Sequence, residues 1–122
     1  GLPALVRAAK LGRRAAQVGF DWPDATGVLD KVREEIDELQ QAVVTGDSVH
    51  VREEIGDLLF SVAQLARHLD VDPEGALRDT GGECERRFRC IEASLAVGGR
   101  TAADASMAEL EALWARAKRE IG

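Results

Sequence analysis

The sequence predicts an all-α protein, a bundle of about five helices. Apolar residues recur with helical spacing along most of the chain, and strand-like alternation bounded by turn residues is absent. Gly, Pro and Asp residues punctuate the periodic stretches where helices should start and stop. A chain of 122 residues with 45% hydrophobic content has enough apolar surface for one core, so residues 1–122 are expected to form a single domain. Internal repeats, low-complexity tracts and long linkers are absent.

The first helix should run from about Pro3 to Val18, because Pro3 suits a first turn and Gly19 a helix end. The start at Gly1-Leu2-Pro3 reads as a cut edge of a longer protein. After the loop Phe20-Asp21-Trp22-Pro23, a second helix is expected from about Thr26 to Thr45, where Gly46-Asp47 stops it. Its apolar stripe is Val28, Leu29, Val32, Ile36, Leu39 and Val43. The third, from about Ser48 to Leu69, carries Val51, Ile55, Leu58, Leu59, Val62, Leu65, Ala66 and Leu69. Asp72 then serves as N-cap and Pro73 as first residue of a fourth helix reaching Val97. Along it Leu77, Gly81, Cys84, Phe88, Ile91 and Leu95 alternate in steps of four and three, a seam at which Gly81 would permit close approach. Gly81 and Gly82 together cost an interior helix about 2 kcal/mol relative to alanines, which predicts a local kink or a close helix contact. Gly98-Gly99 breaks the chain, and Ser106 with Glu109 forms a capping-box pattern ahead of a last helix holding Leu110, Leu113, Trp114 and Ala117.

The chemistry is concentrated in two acidic clusters, Glu34-Glu35-Ile36-Asp37-Glu38 and Glu53-Glu54-Ile55-Gly56-Asp57. At 100° per residue, Lys31, Glu34, Glu35 and Glu38 share an arc of roughly 100°. Glu35 lies at the edge of its apolar stripe, Glu54 lies on the margin of the other, and Asp57 follows one turn later. If the two stripes pack together, Glu35, Glu38, Glu54 and Asp57 converge, and their repulsion calls for a divalent cation. All-oxygen ligands favour Mg²⁺ or Mn²⁺ over zinc. Either cluster alone is ordinarily a solvated face. Both like and opposite charges occur at i,i+4 here, so helix stabilisation does not explain the pattern.

Arg86, Arg87 and Arg89 could meet phosphate through their forked guanidinium groups, or simply pair with Glu83 and Glu85. Lys31 has the same two readings, with Glu34 or Glu35 as its partner. Trp22 and Trp114 are either core aromatics or base-stacking surfaces. His50 and His68 lack any metal-motif spacing and read as structural. There is no glycine-rich phosphate loop, so metal and basic side chains would have to hold phosphate.

Four strings closely resemble the MazG nucleoside triphosphate pyrophosphohydrolases. They are Val18-Gly19-Phe20-Asp21-Trp22-Pro23-Asp24, Asp30-Lys31-Val32-Arg33-Glu34-Glu35-Ile36-Asp37-Glu38, Glu53-Glu54-Ile55-Gly56-Asp57-Leu58-Leu59-Phe60 and Leu65-Ala66-Arg67-His68-Leu69. The resemblance continues through Glu85-Arg86-Arg87-Phe88-Arg89 and Ala105-Ser106 to Leu113-Trp114. It implies an all-α NTP pyrophosphohydrolase fold, Mg²⁺ dependence, a dimeric state, and hydrolysis of nucleoside triphosphates to monophosphate and pyrophosphate. It favours nucleotide contacts for Lys31, Arg86, Arg87 and Trp114. Glu35, Glu38, Glu54 and Asp57 would then be the metal ligands, with Glu34 or Glu38 accepting the proton of the attacking water and Glu53 orienting the ligands. Where these proteins usually have Asn-x-Lys-Phe, this chain has Gly81-Gly82-Glu83-Cys84, which implies weaker nucleotide binding with the carboxylates untouched. Two alternatives remain. One is an all-α hydrolase restricted to a single nucleotide such as dUTP or phosphoribosyl-ATP; the other is a noncatalytic nucleotide-binding module.

The formal net charge of −6 disfavours a nucleic-acid polymer as partner, since backbone binding needs a basic footprint. No apolar run suits a membrane span or a signal peptide, which leads to the expectation of a cytoplasmic protein. Cys84 and Cys90, six residues apart in a helical stretch, are expected to be reduced.

Overall fold

The computed structural model describes residues 1–122 and contains five α-helices and no strand. They are α1 (Ala4–Gln17), α2 (Ala25–Thr45), α3 (Ser48–His68), α4 (Pro73–Val97) and α5 (Met107–Ile121), with a 3₁₀ turn at Ala102–Asp104 between the last two. The chain divides into two compact units, Gly1–Ala76 and Leu77–Gly122.

Local chemistry sets each boundary. Helix α1 ends where Gly19 turns left-handed (φ 85°) and the Phe20 amide donates back to the Ala15 carbonyl. The Asp24 carboxylate caps α2 by accepting from the Gly27 amide at 3.0 Å. Gly46 (φ 76°) ends that helix, and Asp47 at once caps α3 by accepting from the amides of Val49 and His50. Two 21-residue helices joined by so short a link must double back on each other. Asp72 caps α4 through the Glu74 amide, and Ser106 caps α5 through the Glu109 amide. The Glu109 carboxylate grips the Arg100 guanidinium with two contacts of 2.7 Å.

In the first unit α3 is central, packing against α2 on one flank and α1 on another. The α1 contact uses the small residues Ala8, Ala9 and Gly12, all buried. A Cβ on Gly12 would fall 1.7 Å from Oε1 of Gln64, so the approach requires glycine. Gln64 is fully buried, and its amide donates to the Ala8 carbonyl at 2.7 Å. Its Oε1 accepts from Arg67 Nε, and Arg67 in turn donates from both terminal nitrogens to Asp21, at 3.0 and 2.8 Å. His68 Nε2 lies 2.9 Å from the same carboxylate, and Trp22 packs edge-on against the His68 ring. One polar chain thus ties α1, the loop after it and the end of α3. The Arg67 and His68 contacts hold the Asp21 carboxyl well below the usual carboxylate range.

The buried line of α2 differs from the expected stripe. Val28, Glu35 and Ala42, spaced by seven, are the buried residues, while Leu29, Ile36 and Val43 are exposed. On α3 the buried set is Glu54, Ser61, Ala63 and Gln64, and Ile55, Leu59 and Val62 are exposed. The expectations for α4 also need correction. A Cβ on Gly81 would meet nothing within 4 Å, so no close approach explains that glycine, and α4 passes through Gly81-Gly82 as one continuous helix. Of the expected seam only Ile91 and Leu95 are buried; Leu77, Cys84 and Phe88 are exposed. Ile91, Phe88, Met107, Leu110 and Trp114 line an apolar cavity of about 370 Å³ in that unit. Both cysteines are unpaired.

The polar chain makes a stability prediction. Asp21→Asn should cost about 2 kcal/mol, since it removes a forked charge-assisted contact and leaves Arg67 without its counter-ion. Because the folded-state pKa of Asp21 is lowered, the contribution is complete above the ordinary value of 3.8 and is lost as pH falls through the depressed value. Denaturant titrations of both proteins at pH 7 and pH 3 check this, with a smaller gap expected in acid.

Candidate metal centre

Two acids are buried inside the α2–α3 hairpin. Glu35 and Glu54 are only 5% and 8% exposed, so they sit within the packed interface and not at the stripe margins that the sequence pattern suggests. Glu35 occupies the middle of the Val28–Glu35–Ala42 line, and Glu54 lies seven residues before Ser61 on α3. Packing the two lines together therefore packs the carboxylates together. Glu38, one turn beyond Glu35 on α2 and exposed, completes a trio whose ligand oxygens all lie within 4.8 Å of one another.

Each buried acid is held by a base four residues earlier on its own helix. Lys31 Nζ lies 3.0 Å from Glu35 Oε1, and His50 Nε2 lies 3.0 Å from Glu54 Oε1. In both cases the second oxygen, Oε2, is buried without any hydrogen-bond partner. Buried acceptors in that state are costly and uncommon. The Glu38 carboxyl is pushed up from its ordinary value, first by the charge of Glu35, then by desolvation and by Glu54. Lys31 is likewise raised, chiefly by its contact with Glu35.

This arrangement has the donors a hard divalent cation needs: carboxylate oxygens only, two of them unpartnered, with a third acid open to solvent. The residues present fit Mg²⁺ or Mn²⁺.

Of the four ligands expected from sequence, the structure brings together Glu35, Glu38 and Glu54 and leaves Asp57 out. Asp57, one turn after Glu54, is exposed, and its carboxylate is not among the oxygens that lie within 4.8 Å of one another. Glu34 and Glu53 are exposed; Glu34 approaches Lys31 at 3.8 Å and points mainly into solvent. Lys31 is thus engaged with the acids as well as being a phosphate candidate.

In the second unit, Arg86 is exposed. Arg87 is half-buried, with its guanidinium carbon 5.4 Å from the centre of the Trp114 ring, its Nε donating to the Gly122 carbonyl at 2.7 Å and its Nη2 3.5 Å from Glu83. Glu83, the acid found where a lysine was expected, is therefore a partner of Arg87. Arg89 pairs with Glu85. Sequence reading set His50 aside for want of a metal motif. The signal was the same i,i+4 spacing that links Lys31 to Glu35.

Comparison with known proteins points the same way. The family model described as phosphoribosyl-ATP pyrophosphohydrolase matches residues 13–80. Over 123 aligned residues the chain is 45% identical to the nucleoside triphosphate pyrophosphohydrolase of Escherichia coli K12, covering 98% of this chain and 46% of that protein. It is 40% identical over 117 residues to the nucleoside triphosphate pyrophosphohydrolase/pyrophosphatase MazG of Thermotoga maritima, covering 96% of this chain and 45% of that one. The chain thus spans about half the length of these curated relatives.

Crowding of the trio has a measurable consequence without any ion. Because the folded-state pKa of Glu38 lies above the ordinary 4.5, its ionisation opposes folding as pH rises through that window. In chelator-treated protein, Glu38→Gln should therefore melt higher than wild type at pH 8, and the difference should vanish below pH 4.5. A lower melting temperature for the variant at pH 8 would show that the three acids are not in conflict.

Proposed function

The chain belongs to the phosphoribosyl-ATP pyrophosphohydrolase family, with MazG-type relatives, and we propose that it is a Mg²⁺-dependent nucleoside triphosphate pyrophosphohydrolase. Its reaction would convert an NTP or dNTP and water to the nucleoside monophosphate and pyrophosphate, clearing nucleotides from the cytoplasmic pool. The observation that carries this reading is the trio Glu35, Glu38 and Glu54, with ligand oxygens within 4.8 Å of one another, in which both buried members have an oxygen without a hydrogen-bond partner.

Glu35, Glu38 and Glu54 would hold Mg²⁺, or Mn²⁺ in its place, and the bound ion supplies positive charge for the phosphates and a more acidic water. Water attacks the α-phosphorus, the bond from that phosphorus to the α–β bridging oxygen breaks, and pyrophosphate leaves with the bridging oxygen. The proton released by the water passes to a carboxylate. Glu34, exposed beside the trio, and Glu38 are the candidates. Lys31 sits on the same face with its ammonium fixed by Glu35 and would meet a phosphate oxygen without having to be ordered first. Asp57, one turn after Glu54, would be the fourth ligand, and Glu53 would orient the ligands from outside. In the second unit, the Trp114 ring offers a stacking face for a base, and Arg86 and Arg87 offer guanidinium groups for phosphate.

The family match favours one more specific reading, phosphoribosyl-ATP as substrate, since its pyrophosphate is released by the same bond cleavage. Incubation with each ribo- and deoxynucleoside triphosphate and with phosphoribosyl-ATP, with and without Mg²⁺, separates the two. Pyrophosphate and monophosphate are the expected products; release of inorganic phosphate with a diphosphate would overturn the reaction type, and nucleotide binding without turnover would make this a regulatory module. Glu38→Gln should lower Mg²⁺-dependent turnover about 100-fold or more while leaving the helical circular dichroism unchanged; full activity would remove Glu38 from the site.

The exposed lines Leu29, Ile36, Val43 on α2 and Ile55, Leu59, Val62 on α3 form an apolar face that a second copy would cover, supporting a homodimer. No helix is long and apolar enough to cross a membrane. Sedimentation should give twice the chain mass of 13.2 kDa, and Ile36→Asp with Leu59→Asp should give the single chain.

A further inference from the structure

We propose that His50 is a positioning residue for the metal centre: it fixes the Glu54 carboxylate so that Oε2 faces the trio. The inference rests on the metal reading above and concerns a side chain outside the ligand set.

The geometry is specific. His50 Nε2 lies 3.0 Å from Glu54 Oε1, so its Nε2–H donates to one oxygen and only the other, Oε2, remains without a partner. Glu54 is buried, whereas the His50 side chain is about half exposed, so the imidazole closes the solvent side of the carboxylate. Side chains on a helix lean toward its N-terminus, which brings a residue at i+4 back over residue i; Glu54 can meet His50 without leaving a normal rotamer. His50 itself is fixed at the start of α3, where Asp47 accepts from its backbone amide at 3.3 Å. The base precedes the acid, and this order stabilises a helix less than the reverse one. What the contact adds is therefore orientation more than helix stability.

Lys31 and Glu35 repeat the device on α2 with the same spacing and the same 3.0 Å contact, again leaving Oε2 bare. The two differ in what else the base can do. Lys31 is a full cation on the acidic face and is available to a phosphate, whereas His50 has Glu54 as its sole side-chain partner. Without His50 the Glu54 carboxylate would be free to rotate about its last bond, and binding an ion would require ordering it first.

The test is Mn²⁺ binding to the purified chain without nucleotide, read from the loss of the free Mn²⁺ signal in electron paramagnetic resonance. Wild type, Glu54→Gln, His50→Ala and His50→Gln are compared, with circular dichroism confirming the fold of each. His50→Ala should weaken Mn²⁺ binding about tenfold, the lower end of outer-partner effects. His50→Gln places an amide donor near the position of Nε2 and should stay within about twofold of wild type. Tight wild-type binding, its loss in Glu54→Gln and unchanged binding in His50→Ala would overturn the role of His50 while leaving the metal reading intact. Equal losses in the Ala and Gln variants would also overturn it, because the donor would then not be what matters. Absence of wild-type binding, or binding unaffected by Glu54→Gln, would overturn the metal reading and this inference together.

Discussion

The first unit is organised around two carboxylates buried within a helical hairpin. Placing Glu35 and Glu54 in the packed lines of α2 and α3 costs several kcal/mol per charge by desolvation, and their proximity adds repulsion. Helix geometry makes the placement unavoidable once the lines pack, because Val28, Glu35 and Ala42 recur every seven residues on one side of α2. Gly46-Asp47 joins the two helices so closely that register between them has little freedom. The hairpin is therefore the device that holds acids from two parts of the chain within ligand distance. The bases at i−4 offset half of the problem, one oxygen on each acid, and leave the other half facing inward.

The polar chain on the other flank of α3 serves the same end by a different route. Gln64, Arg67 and His68 face α1 and the loop at Asp21, while Glu54 and Ser61 belong to the face packed on α2. Glu54 and Gln64 are ten positions apart, which places them roughly 80° apart around the helix. Rotation of α3 about its axis would break the Gln64 contact to the Ala8 carbonyl and the forked Arg67–Asp21 pair. Gly12 lets α1 come close enough for this clamp to form.

Much of this was legible in the sequence. Helix ends were readable where their signals are local: Asp72 and Ser106 accept from nearby amides, and Gly19 and Gly46 take the left-handed conformation; the caps Asp24 and Asp47 work the same way but were not read as caps. The convergence of Glu35, Glu38 and Glu54 followed from period and charge together. Asp57 stands outside that cluster although its position on α3, about 60° round from Glu54, lies between Glu54 and Gln64. Gly81 misled as well. Two glycines in a helix suggest a close neighbour, yet nothing stands near Gly81, and the structure offers no account of its presence. The Gln64–Ala8 bond, between residues 56 positions apart, has no local signature at all. The exposed lines Leu29–Ile36–Val43 and Ile55–Leu59–Val62 were read as core because periodicity reports an apolar face and not which chain covers it.

Charge balance distinguishes the trio from the surroundings of Glu83. Three carboxylates in the trio against the one ammonium of Lys31 leave an excess of two negative charges, which a single divalent ion would match. The chain as a whole carries −6, so a cation held in place by its neighbours stands out. Arg87 is such a cation: the Trp114 ring lies beneath it, the Gly122 carbonyl accepts from its Nε, and Glu83 draws on one terminal nitrogen. The contact to Glu83 is long at 3.5 Å and partly exposed, so it is weak. Replacing a lysine by Glu83 therefore removes one mobile charge, while what remains is an arginine already oriented over its aromatic partner.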